Sequence, residues 1–356
     1  MNKWMTGIGL VLIAQSAWCT NLVVDVDSTH VYHPSSGDSI PIKVYSQVPG
    51  IIDVSIYAPD GFKIRDLGSQ DLPRNTQQIL EWDGKDDQGR PVPNEAYFPR
   101  VVLRPIQQGN ANVAKEDYHP LLTSGGQIMP KIPVFKGRDS QVVLGLNKPA
   151  RLLVRAGITD GPLLKTLAAW EPEPSGRLEI NWDGKDANHK IDIAELANFQ
   201  LFATGYELPD SSIIVRGNKE NYPEYCGLYR PIPDLRELRK DYLSLNHRLS
   251  DIYSDSNCLP TDPVLGLDFS IDKSGKAVAT VTLPERYAAL VSQDMYEVTF
   301  FIDNKFVFER EQGYMPFYWE TDVAKLSKNT PHILTANITG FKGHIGTVST
   351  LFEIKK

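Results

Sequence analysis

Carboxylates dominate the residues with chemistry to offer. The stretch Glu81 to Gly89 reads EWDGKDDQG, and the chain spells NWDGKDANH from Asn181 to His189. Asp83, Asp86 and Asp87 could present oxygens to a hard cation such as calcium. Their spacing is not that of an EF-hand loop, however, and the second copy keeps only Asp183 and Asp186. Aspartate also favours turns on its own account, because its side chain bonds the neighbouring backbone. The expectation is a plain turn and no metal. Asp25 and Asp27, on one face of a strand, make a weaker pair of the same kind.

Glycoside hydrolysis needs two acids facing one cleft at a set distance. Glu95 and Glu195 recur in the same turn of separate units, so both are expected to point to solvent. The seven histidines (30, 33, 119, 189, 247, 332 and 344) form no HExxH pattern. His30 and His33 would fall on opposite faces of a strand. No GxSxG elbow, P-loop or dinucleotide fingerprint occurs. Neither a catalytic constellation nor a cofactor site follows from these residues.

Aromatic side chains remain. Tyr222, Tyr225 and Tyr229 crowd the segment NYPEYCGLYRP. Exposed tyrosines stack on sugar rings or anchor protein interfaces; buried ones would pack this segment onto its neighbours. They are the candidate binding residues. Cys226 and Cys258 bracket the same region, and in an oxidising compartment such a pair is expected to form a disulfide. Closing a loop of roughly 30 residues would stabilise by about 3–4 kcal/mol in the chain-entropy model.

The elements that must hold these residues are β. Twenty-five Pro and 26 Gly separate short apolar runs, which favours an all-β chain rich in turns. Val54 and Ile56, then Leu80 and Trp82, alternate with polar neighbours as half-buried strands do. The repeat extends beyond the pentapeptide: Val54-Ser55-Ile56-Tyr57, Asp60-Gly61 and Ile64-Arg65-Asp66-Leu67 answer to Val154-Arg155-Ala156, Asp160-Gly161 and Leu164-Lys165-Thr166-Leu167. One offset across so long a stretch marks a duplicated domain. Trp82 and Trp182 are then core anchors, and Asp83-Gly84 and Asp183-Gly184 turn the chain at a sandwich corner.

One helix stands out. Leu235, Leu238, Tyr242, Leu245, Leu249 and Ile252 form a single apolar stripe, with Pro233 and Asp234 at its start. The N-terminus reads as a signal peptide: Lys3, an apolar run from Ile8 to Ile13, then Ala14-Gln15-Ser16-Ala17. Cleavage after Cys19 would leave Thr20 first; cleavage after Ala17 would leave Trp18. A lipidated Cys19 is the third reading, against which stands the large Trp18 before it. Net charge is −7, with no basic block, which argues against a nucleic-acid partner.

Ile79 to Pro93, followed by Tyr97-Phe98, resembles the Ig-like domain first described in flagellar hook-capping proteins. That domain ends in a W-D-G-x-D-x-x-G-x-x-[VL]-x-x-G-x-Y pattern. The first unit has Asn94-Glu95-Ala96 where a Gly is common, and the second loses the turn Gly at Asn188-His189-Lys190. The resemblance implies a fold and a secreted setting rather than a flagellar role. From Val298 to Ile354, the runs VTFFI, DN, KFVF, PFYWE and HILTANI resemble another bacterial Ig-like module.

The sequence therefore predicts tandem Ig-like sandwiches with one disulfide-bracketed helical insert. Its expected parts are a signal peptide (1–19), a first Ig-like unit (20–108), a linker (109–130), a second unit (131–218), the insert (219–262) and a third unit (263–356). The expected role is an exported, non-catalytic binding, adhesion or spacer protein of the bacterial envelope, periplasmic, secreted or at the surface. Its partner would be a protein or a glycan, with no membrane span after signal cleavage. Two alternatives are a carbohydrate-binding accessory of a surface polysaccharide system and a divergent hydrolase with a site between domains.

Overall fold

A computed structural model of the chain describes residues 21–58, 61–106, 114–118, 127–128, 130, 133–137, 139–219, 222, 225, 229, 262–284, 296–311, 314–340 and 345–355. The expected signal segment 1–19, the helix expected over 235–252, and Cys226 and Cys258 lie outside the described residues. Among those described, helical backbone is confined to two 3-10 turns, Pro34–Ser36 and Ile193–Glu195, and to the positions of the three tyrosines. Everything else of regular form is strand.

The first module contains β1 (Leu22–Asp25), β2 (Val31–Tyr32), β3 (Ile40–Ser46), β4 (Gly50–Tyr57), β5 (Lys63–Leu72), β6 (Thr76–Trp82), β7 (Glu95–Pro105) and β8 (Glu116–Tyr118). The second contains β9 (Gln127–Ile128), β10 (Val134–Lys136), β11 (Gln141–Leu146), β12 (Ala150–Ile158), β13 (Leu163–Glu173), β14 (Gly176–Asn181) and β15 (Phe199–Glu207), followed by β16 (Ile213–Val215). The third has β17 (Gly266–Ile271), β18 (Lys276–Thr282), β19 (Tyr296–Ile302), β20 (Lys305–Glu311), β21 (Phe317–Asp322), β22 (Pro331–Gly340) and β23 (Ile345–Glu353).

One wiring serves all three modules. The small sheets run β1-β3-β6, β10-β11-β14 and β17-β18-β21. The large sheets contain β5-β4-β7, β13-β12-β15 and β20-β19-β22 in corresponding places. Each module thus has the two-sheet plan of an Ig-like sandwich, in which inward residues of both sheets make the core. Alternation sets the faces. Ile40, Ile42 and Val44 of β3 meet Ile52, Val54 and Ile56 of β4 around Trp82, Tyr97 and Leu103. Val142 and Leu144 meet Leu152 and Val154 around Trp182. Phe300 and Trp319 stack at 4.6 Å in the third core.

The modules interleave where the sequence predicts clean boundaries. β8 and β9 both fall in the expected linker, yet β8 pairs with β7 of the first module and β9 with β15 of the second. β16 falls in the expected second unit but enters the first module, antiparallel to β7 and parallel to β2. The chain beyond it stays there. The Arg216 amide donates to the Tyr32 carbonyl (2.9 Å), and the Asn94 side chain both donates to the Asn218 carbonyl (3.2 Å) and accepts its N–H (2.9 Å). The second module is therefore an excursion from the first, whose large sheet is finished by residues that come after it.

Candidate functional site

The two copies of the pentapeptide build one corner twice. Each Trp ring is buried, and each indole N–H donates to a lysine carbonyl three residues on, Lys85 or Lys185, at 2.8 Å. Asp83 and Asp183 accept the N–H of those lysines at 3.1 and 3.0 Å. Gly84 and Gly184 have φ of 67° and 83°, a left-handed conformation that a side chain would strain. Asp86 accepts the Gln88 and Arg90 amides, both at 2.9 Å; Asp186 accepts those of Lys190 (2.6 Å) and Ile191 (2.9 Å). Asp87 takes the Asp66 amide at 2.9 Å. In both corners one oxygen, Oδ1, of each motif aspartate is engaged by the turn's own backbone amides.

The copies differ most around the second aspartate. The Asp86 amide donates to the Arg90 carbonyl and the Asp186 amide to the Ile191 carbonyl, so Ile191 stands where Arg90 does. Arg90 Nε donates to Asp86 Oδ2 at 2.7 Å, and the Tyr225 hydroxyl donates to the same oxygen at 2.8 Å. Burial alone would raise the Asp86 pKa, but the Arg90 amide, the Tyr225 hydroxyl and the Arg90 guanidinium outweigh it and hold it below the usual carboxylate value. Burial first, and the hydrogen bond to Asp86 second, push the Tyr225 phenol up. In the second copy Asp186 Oδ2 is buried with no hydrogen-bond partner among the described residues.

This corner is where the candidate tyrosines go. Tyr222 and Tyr225 are buried in the first core, and Tyr229 is half-buried against it. Their rings lie 6.4 and 5.3 Å apart in sequence order, and the Arg90 guanidinium sits 4.1 Å over the Tyr229 ring. Positions 222, 225 and 229 share one face of helical backbone. Rings held this way give Tyr222 and Tyr225 no open face for a sugar. Removing the hydroxyl in Tyr225→Phe, which loses a hydrogen bond to a charged acceptor, should cost about 1.5–3 kcal/mol in urea unfolding. No change in midpoint would mean that Arg90 and the backbone suffice for Asp86.

Further buried charges lie between modules. Glu95 does not point to solvent as the sequence suggests: its carboxylate is buried and accepts from Arg151 of β12, whose other amino group donates to the Trp170 carbonyl at 3.1 Å. Glu195, its counterpart, is exposed. Arg216, on the first-module side, pairs with Glu173 of β13 at 2.6 Å and donates to the Pro172 carbonyl at 3.0 Å. Burial pushes the Glu173 carboxyl up in spite of Arg216. Arg155, on the same face of β12 as Arg151, reaches Asp262 at the entrance to the third module (3.4 Å). Asp262 also accepts the Thr166 hydroxyl and the Ile345 amide (3.1 Å).

Two side-chain amides complete the second junction, one from each side. Asn337 of β22 accepts the Leu163 N–H (3.2 Å) and donates to its carbonyl (2.7 Å). Asn188, in the second module's corner, donates to the Ser349 carbonyl (2.6 Å) and accepts its N–H (3.2 Å). Each amide thus mimics a neighbouring strand for one residue of the other module. The signal for the arginines is in the repeat itself: Ile51 and Ser55 of β4 become Arg151 and Arg155 in β12, two cations inside an apolar run. Asp25 is exposed and pairs with Lys43 at 3.1 Å, while Asp27 accepts the Thr29 amide and hydroxyl.

No protein-family model matches the chain, and no curated protein does. Solved structures similar to it include the FN1–FN3 domains of chicken CNTN1, at 8% identity, covering 94% of this chain and 98% of that one with a TM-score of 0.20. Another is a tetra-tandem repeat from the extending region of a large adhesion protein, at 10% identity, 94% and 74% coverage and a TM-score of 0.19. A third, from a 1.5-MDa bacterial ice-binding adhesin, has 12% identity, 94% and 98% coverage and a TM-score of 0.18. Scores this low carry no argument, so the fold assignment rests on the strand order above. Among the described residues no helix is long and apolar enough to cross a membrane.

Proposed function

We propose that the protein is an exported, non-catalytic component of the bacterial envelope, in which three Ig-like sandwiches hold a fixed spacing and present a surface to a protein or a glycan. The observation that carries this reading is the pair of junctions. Side chains with catalytic potential, Glu95, Glu173, Arg151, Arg155 and Asp262, are spent on tying one module to the next. Buried charge pairs of this kind are costly unless well paired, and they reward one geometry over others. In this reading the first two modules are of the hook-capping Ig-like type, residues 1–19 direct export, and Cys226 and Cys258 form a disulfide beyond the tyrosine anchor.

Mass spectrometry of the protein from fractionated cells, before and after reduction, tests the reading. A mature chain starting at Thr20 or Trp18, and gaining about 2 Da on reduction, is the expected result. An unprocessed chain with free thiols in the cytoplasmic fraction would contradict it. A start at a lipid-bearing Cys19 would keep the envelope but replace a soluble spacer by a membrane-anchored one.

A further inference from the structure

His332, near the start of β22, is buried with an oxygen at each ring nitrogen. Nδ1 lies 2.7 Å from Asp303 Oδ2; Nε2 lies 2.9 Å from the Ser327 carbonyl and 3.2 Å from its hydroxyl. A neutral imidazole has one N–H and one lone pair. The Nε2–H tautomer turns its lone pair toward the Asp303 carboxylate; the Nδ1–H tautomer turns its own toward the Ser327 carbonyl at 2.9 Å, with the Ser327 hydroxyl at 3.2 Å as the one group there able to donate to it. Only the imidazolium donates to both. Three elements enclose the ring: the β19–β20 turn with Asp303, the loop before β22 with Ser327, and β23 with Phe352 at 5.3 Å. These elements also carry Lys325, Lys328 and Glu353, but Asp303 is the charged group that meets the ring.

That turn touches the second module. Asp303 and Asn304 have φ of 51° and 64°, the conformation of a tight two-residue hairpin. Asp303 is bound to β22 through its amide, which donates to the Ile333 carbonyl (2.9 Å), and through Oδ1, which accepts the Ile333 N–H (3.0 Å). At its tip, the Asn304 carbonyl oxygen would lie 3.0 Å from a Cβ placed on Gly161. Two residues from Gly161, Leu163 is held by Asn337 of the same β22.

We propose that His332 is a proton-operated latch, whose imidazolium holds the Asp303–Asn304 turn in place against the second module and whose deprotonation loosens that junction. The latch goes beyond the spacer reading and does not depend on it. Burial opposes charge on the ring, but the Ser327 carbonyl and the Asp303 carboxylate outweigh it and keep the pKa above the ordinary histidine value. A pKa raised on folding contributes stability that is complete below the unfolded value of 6.5 and is lost as pH rises through the folded value. The junction is therefore tight in mildly acidic surroundings and looser in alkaline ones.

Hydrogen exchange in the full chain tests this at the Leu163 N–H, whose acceptor belongs to the other module. Between about pH 6 and about pH 8, protection corrected for intrinsic exchange should fall roughly tenfold in the wild type. In His332→Gln it should not change with pH. Equal protection at both pH values in the wild type, or the same fall in the variant, would overturn the latch. Should His332→Gln fail to fold, an NMR titration of the His332 ring in the wild type decides: a pKa above that of an unfolded histidine supports the latch, and one at or below it overturns it.

Discussion

Arg151→Ala is expected to destabilise the protein by about 3–5 kcal/mol, among the largest effects of any substitution between modules. The guanidinium lies in a site where its side chain and that of Glu95 are 2% and 5% exposed, and it also holds the Trp170 carbonyl. Truncation leaves the Glu95 carboxylate in low dielectric, where an uncompensated charge is expensive. Pairing the change with its partner separates this penalty from the worth of the bond. Glu95→Gln keeps the acceptor for the Ala96 amide (2.6 Å) but removes the charge. The double variant Glu95→Gln/Arg151→Met should therefore be more stable than Arg151→Met alone. Denaturant unfolding of the four proteins closes the cycle, and simple additivity would show that the two groups do not sense each other.

Trp82→Ala should cost a similar amount, about 3–5 kcal/mol, through loss of the ring and a cavity at the centre of the first core. The ring is completely buried, packs edge-on to Tyr97 at 5.4 Å and closes the corner through Lys85. Trp82→Phe keeps much of the volume but strands the Lys85 carbonyl, and should cost about 1–3 kcal/mol. Trp182→Ala should damage the second module comparably, since that ring lies 4.8 Å from Phe135 and 5.8 Å from Phe199. Calcium should leave all of these unfolding midpoints where they are, because the corner's aspartates already serve its amides. A midpoint that rises with calcium in the wild type and not in Asp83→Asn would instead make the pentapeptide a cation site.

The parts of this architecture legible in the sequence are those written in local pattern. Alternation in Ile40–Val44 and Ile52–Ile56 declares strands with one buried face. Repetition of Trp-Asp-Gly-Lys-Asp declares a corner, because its bonds run between residues two to five positions apart. The interleaving of modules was not legible for the converse reason. β8, β9 and β16 are two or three residues long, too short for a period, and β9 and β16 find their partners far away in the chain.

The tyrosines show the same limit. Their types and spacing mark an aromatic face but not its destination, which depends on Asp86 and Arg90 well over a hundred residues earlier. Glu95 misled for a related reason: a glutamate in a repeated turn reads as solvated until its Arg151 is seen, and only one copy of the repeat has that arginine in reach. The third module's shared wiring is visible in strand order while its sequence lacks the pentapeptide, so topology outlasts the motif that first reveals it.

A spacer requires that the junctions fix the modules relative to one another. Residual dipolar couplings on the mature chain, collected for amides in all three sandwiches, measure this directly. If the charge pairs and amide clamps act as described, the three sets fit one alignment tensor. Three unrelated tensors would mean that the modules reorient independently, and would contradict the spacer.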